Sequence, residues 1–258
     1  MPANDVLTAQ SSELRSRPAA IASWASLVGF LLIGAGVVAL GVFAQHAPAG
    51  SGGAAPGQLA GHTKAIPIYL TAIFMDWALL YYCWASVHRR GGGFKTLSGG
   101  RWTSWKEVLT DVAIAVPFWL LWTGAANGVH WLLKAGFPAS GNAKTVDSLL
   151  PQSLPEILVW IATCITAGVC EEMAFRGFVQ QQLHALSGNI GLAVLGQGVI
   201  FGLFHSYQGW TNVAVISILG VLYGALAAWR RNLRANMIAH AWSDIYEGWA
   251  SFAFFGRA

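Results

Sequence analysis

Long apolar runs broken by short polar stretches set the pattern of this chain. Crossing about 30 Å of hydrocarbon takes roughly 20 apolar residues in a helix. Ala19 to Ala44 is an uncharged run of 26 residues. A signal-peptide core spans only about 7 to 15 residues, so this run reads as a retained anchor. The Gly-, Pro- and Ala-rich stretch from Gln45 to His62 reads as an extramembrane loop. Further spans are expected at about 65–87, 108–133, 154–183, 190–205, 213–229 and 235–254. The fifth and sixth are short, and little more than Ser206 to Asn212 separates them. The pattern therefore predicts an all-α polytopic membrane bundle of about seven transmembrane helices. Three fall in an N-terminal region, residues 1–153, and four in a C-terminal unit, residues 154–254.

Composition agrees with that plan. Of 258 residues only 26 are Asp, Glu, Lys or Arg, about 10%, while 55% are hydrophobic and the mean hydropathy is +0.51. A soluble domain carries roughly 25% charged residues. So few charges cannot coat a water-facing surface of this size, which excludes an ordinary soluble enzyme, a disordered chain and a nucleic-acid binder working through a basic face. Cys83, Cys164 and Cys170 lie in apolar runs without a CxxC pair and read as small buried hydrophobes.

Charge placement then orients the bundle. With the N-terminus cytoplasmic, ten Lys and Arg fall inside: Arg15, Arg17, Arg89, Arg90, Lys95, Arg101, Lys106, Arg230, Arg231 and Arg234. Lys64, Lys134, Lys144 and Arg257 fall outside, which satisfies the positive-inside rule and explains the pI near 9.1. Of the 13 tryptophans, Trp24, Trp84, Trp102, Trp105, Trp131, Trp210, Trp229 and Trp249 sit near the proposed span ends, where amphipathic rings favour the interface. Two small-xxx-small pairs, Gly198/Gly202 and Gly220/Gly224, read as close helix–helix contacts.

Ionisable residues within spans are costly and mark candidate sites. Asp111 lies within one turn of a span start and reads as interfacial; Asp76 lies deeper and its role stays open. The densest cluster is Glu171, Glu172 and Arg176. Glu172 and Arg176 are an i,i+4 pair that can neutralise each other, whereas Glu171 points about 100° away. Two adjacent carboxylates at low dielectric resist ionising together, which suits one of them to general-base work. On residue type alone these acids could equally face headgroups at a helix end. Phe201 and His205, and His240 and Asp244, are each four apart on a helix face. At 1.5 Å per residue Glu171 and His205 lie roughly 20 and 22 Å deep, and His240 roughly 9 to 14 Å. Three polar sites on successive helices can therefore meet within the membrane.

Glu-Glu-x-x-x-Arg at 171–176, Phe-x-x-x-His at 201–205 and His-x-x-x-Asp at 240–244 together resemble the CPBP family. These are the CAAX proteases and bacteriocin-processing proteins, also called Abi, which include the type II prenyl-protein endopeptidases. The resemblance covers about 154–254 and implies a four-helix catalytic core for intramembrane peptide hydrolysis. It implies that Glu171 and His205 activate a water, that His240 and Asp244 stabilise the oxyanion, and that Glu172, Arg176 and Phe201 support them. The prenyl endopeptidases carry Asn where this chain has Asp244, and an ionised carboxylate cannot donate to an oxyanion. Asp244 is then protonated, orients His240 or helps bind a metal. A metal-free mechanism is favoured; the alternative is zinc held by Glu171, His205 and His240 with an open position for water. Expected partners are the lipid bilayer and a membrane-associated or prenylated peptide or protein, with no nucleic acid. The expected location is a bacterial plasma membrane. A non-catalytic immunity or scaffold protein of the same fold, or a small transporter, are the rival functions.

Overall fold

The computed structural model describes residues 18–46, 65–136 and 149–255. Most of the expected loop at 45–62 lies outside these residues, as do Arg15, Arg17, Lys64, Lys144 and Arg257. Every regular element among the described residues is helical. In chain order they are α1 (Trp24–His46), α2 (Ala65–His88), the short α3 (Phe94–Ser98), α4 (Trp105–Gly136) and α5 (Leu154–Glu171). The last runs without a break through a π-helical segment (Glu172–Val179) into α6 (Gln180–Ser187). Then come α7 (Ile190–Phe204), a single 3-10 turn (Ser206–Gln208), α8 (Trp210–Arg230) and α9 (Arg234–Phe255).

The expected seven spans are not all reproduced. Four stretches are long and apolar enough to cross a membrane: Ala65–His88, Trp105–Val129, Leu154–Ser187 and Trp210–Arg230. The apolar parts of α1 (Trp24–Leu40) and α7 (Ile190–Phe204) are shorter, and α9 carries Asn236, His240, Ser243, Asp244 and Glu247 along its length. The chain is thus an integral membrane protein whose two motif histidines, His205 and His240, lie on helices outside these four, while Glu171 and Glu172 lie within one of them. The glycine-flanked segment after α2 forms the short α3.

Local chemistry fixes several ends. Ser153 and Pro155 open α5, since Pro at the second helical position gives up only an N–H that has no helical partner. Asn189 caps α7 by accepting from the amides of Gly191 and Leu192 at 2.8 and 3.2 Å. Gly188, at φ +67°, closes α6 in the left-handed conformation that favours glycine.

The main core joins α1, α2, the π segment and α7. Phe30 meets Phe175 and Phe204 at 5.5 Å each, and Phe175 meets Phe201 edge-on at 4.9 Å. Buried Gln182 ties the chain ahead of α1 to α6, donating to the Ala22 carbonyl at 3.0 Å and accepting from the Ala22 amide at 3.3 Å. The glycine pairs do pack: a Cβ on Gly220 would stand 2.7 Å from the Gly198 Cα, so α7 and α8 touch backbone to backbone. At the other close crossing, a Cβ on Gly168 of α5 would fall 2.9 Å from the Met237 carbonyl of α9. This second approach sets the distance between the helices that carry the acids and the histidine.

Candidate active site

Asn236, His240 and Asp244 recur every fourth residue, so α9 presents them on one face toward α5. The two helices are held in register by the Trp160 indole, which donates to the Asp244 carbonyl at 2.9 Å. Glu171 ends α5 and Glu172 begins the π segment, whose i→i+5 bonding closes with the Gln180 amide on the Phe175 carbonyl. Such widened turns recur at functional sites because they turn side chains to positions that an α-helix cannot supply.

Glu172 is fully buried and fully engaged. Its Oε1 accepts from Arg176 Nη1 at 2.9 Å and from His240 Nδ1 at 2.9 Å, and its Oε2 accepts from Asn236 Nδ2 at 3.1 Å. The Arg176 guanidinium lies over the Phe201 ring at 4.3 Å and donates to the Gly220 carbonyl at 3.4 Å. A buried charge is tolerable only when paired and hydrogen-bonded in this way.

Glu171 has a different setting. Its side chain keeps 18% of its exposure, and Oε2 stands 3.8 Å from His240 Nε2. Asp244 Oδ2 approaches the same nitrogen at 3.6 Å from a side chain that is 35% exposed. A carboxylate only accepts, so His240 Nδ1 carries the proton it gives to Glu172, and Nε2 faces the two open acids. The imidazole thus joins a closed, buried inner pair to an outer pair that a ligand can reach.

His205 follows the last residue of α7, and its Nδ1 donates to the Phe201 carbonyl at 2.9 Å. That bond leaves its Nε2 as an acceptor. Its ring packs on Phe201 at 4.8 Å, and Phe201 meets the His240 ring at 6.2 Å. Phe201 therefore stands between the two histidines. Of the residues expected from sequence, Glu171, Glu172, Arg176, His240 and Asp244 form one contact network, and His205 joins it through Phe201.

Two residues enter that sequence reasoning had passed over or left open. Asn236 was missed, although it lies one helical turn before His240 with the same period of four. Asp76 shares a face of α2 with buried Tyr69, Leu80, Cys83 and Val87, and it interacts electrostatically with Glu171, His240 and Asp244. Its partners lie more than 90 residues away in sequence, so the chain alone could not name them. Asp111, read as interfacial, is buried in a separate cluster with Arg230 and Arg234.

Among the described residues no three His, Cys, Asp or Glu side chains are gathered as a metal-binding set. Glu171, His205 and His240, the trio considered for zinc, do not have that arrangement.

The site is a polar network of carboxylates and histidines inside an apolar helical bundle. Residues 153–246 match the family model described as type II CAAX prenyl endopeptidase Rce1-like. The match supports a CAAX protease/CPBP-like family, and the matched segment contains every residue of the three motifs. Comparisons with curated proteins and with solved structures give no match.

Proposed function

We propose that the protein is an intramembrane endopeptidase in which Glu171 activates a water for attack on a peptide bond. The observation that carries this reading is the convergence of Glu171 and Asp244 on His240 Nε2, at 3.8 and 3.6 Å, within helices of the matched segment. Glu171 is the more open of the two motif glutamates, and Glu172 has no free oxygen to offer a water.

In this mechanism the attacking water lies between Glu171 and the acceptor Nε2 of His205. Glu171 takes its proton as the oxygen bonds the carbonyl carbon. The oxyanion of the tetrahedral intermediate receives a hydrogen bond from His240 Nε2–H when that ring carries both protons. The C–N bond then breaks, and Glu171 returns its proton to the leaving amine. A positioned base contributes about 10²- to 10⁴-fold, and removing one oxyanion donor costs about 10²- to 10³-fold. Asp244 orients His240 from the outer side as Glu172 does from the inner side. The substrate class is a membrane-associated peptide or protein, with a prenylated CAAX-type C-terminus as the family's example.

The test is a comparative peptidome of membranes carrying the wild-type chain or Glu171→Ala at matched expression. Cleaved termini that disappear in the variant support hydrolysis and identify the substrate. Identical profiles, with any wild-type phenotype kept by the variant, make Glu171 structural and end the peptidase reading.

A further inference from the structure

Asn236 occupies the centre of the inner pair yet belongs to none of the three motifs. It is wholly buried, and its Nδ2 serves two acceptors: Glu172 Oε2 at 3.1 Å and the Tyr223 carbonyl of α8 at 2.8 Å. Its Oδ1 has no hydrogen-bond partner. Turning the amide over would set that oxygen against two acceptors, so the donor role is fixed by its surroundings. An unpartnered buried carbonyl is costly, and the site accepts that cost to hold one carboxylate oxygen.

The geometry explains what this hold achieves. Glu172 must give Oε1 to two donors at once, Arg176 and His240. Arg176, under the Phe201 ring and on the Gly220 carbonyl, pulls the carboxylate toward α8. Asn236 grips the second oxygen from α9, the helix that carries His240. With both oxygens fixed, the carboxylate cannot rotate about its terminal bond, and the His240 ring keeps Nδ1 on Glu172 and Nε2 on the outer acids. Released on one side, the carboxylate can turn fully to Arg176 and leave the imidazole free to flip.

We propose that Asn236 is a positioning residue that acts through Glu172 to fix the orientation and tautomer of His240. The proposal rests on the peptidase reading and deepens it. Outer partners that orient a metal-bound imidazole are worth about 10- to 100-fold when removed, and an effect of the same order is expected for an imidazole oriented through Glu172. Asn236→Ala is expected to lower kcat at least tenfold with KM little changed. Asn236→Ser is the companion variant. Position 236 lies in the first turn of α9, which begins at Arg234, where serine is well accommodated, and its shorter side chain loses the donor to Glu172.

The discriminating experiment is a double-mutant cycle with Glu172→Gln, read beside the ¹⁵N signals of the His240 ring. If Asn236 works through Glu172, removing it in the Glu172→Gln background costs little more, and in the single variants the His240 Nδ1 signal loses its hydrogen-bonded character. Additive losses in the cycle, or an unchanged His240 signal, would overturn the proposal. So would variants that lower thermal stability alone while kcat stays within about twofold. The ring signal needs no substrate, so it judges Asn236 even where the peptidome shows no cleavage; loss of hydrolysis in Glu171→Ala judges the peptidase reading by itself.

Discussion

Two buried carboxylates anchor α9, and they are put to different uses. Near the start of the helix Asp111 of α4 is fully buried and holds Arg230 and Arg234 at 2.9 Å each, with the Trp102 indole donating at 2.9 Å. One turn and a half further along, Glu172 is equally buried and holds Arg176, His240 and Asn236. The Asp111 cluster closes on itself: its main donors are arginines, whose guanidinium groups hold their protons permanently. The Glu172 cluster has an imidazole among its donors, and an imidazole has a second nitrogen. That nitrogen carries the effect of the buried charge outward to Glu171 and Asp244. On the proposed reading, an ion pair becomes part of a reactive site when one partner has a further atom able to exchange a proton.

The comparison can be broken most sharply at Glu171. Glu171→Gln is expected to reduce cleavage about 10²- to 10⁴-fold with thermal unfolding unchanged, measured as the yield of new termini per folded molecule. Turnover near the wild-type level would leave the outer pair without a chemical role. Next come the anchors. Removing one partner of a buried ion pair costs about 3–5 kcal/mol, so Asp111→Ala and Glu172→Ala should both lower the unfolding midpoint strongly. Only Glu172→Ala should also lose turnover in the fraction that remains folded; equal losses would erase the distinction between the clusters. Asp244→Asn is expected to keep activity within about tenfold, because the amide still orients His240 and regains a donor; a loss as large as that of Glu171→Gln would make the carboxylate itself essential. The smallest effect belongs to Gln182→Ala, far from the chemistry. It should cost about 1 kcal/mol per lost hydrogen bond in unfolding experiments and leave kcat unchanged.

Much of the fold was legible because the membrane imposes a simple rule. Backbone groups in hydrocarbon must be satisfied within the segment, so a long apolar run becomes a helix, and all seven runs read from the pattern are helical in the structure. Which of them meet the length and hydropathy of a full span was less legible. A helix such as α9 hides its polar residues against neighbours, and mean hydropathy does not register which face is covered. The motif residues were legible through their spacing, since Glu172/Arg176 and His240/Asp244 repeat at one helical turn. Asn236 carried the same spacing and was passed over, because only ionisable residues were taken to mark costly sites within a span. Asparagine in a membrane helix also bonds across helices, as Asn236 does to the Tyr223 carbonyl.

By itself the sequence determined that the chain is helical and membrane-embedded, and that its acids and histidines lie on successive helices within the membrane. These are properties of composition, period and rise, and they need no partner. The tertiary structure alone decided which glutamate is buried and which is open, since adjacent residues differ only in what stands opposite them. It decided that Phe201 packs against both His205 and His240, that Asp76 on α2 comes within electrostatic reach of Glu171, His240 and Asp244, and that Asn236 holds Glu172. Contacts between residues tens of positions apart depend on how helices cross, and those crossings are set by packed surfaces such as the one at Gly168.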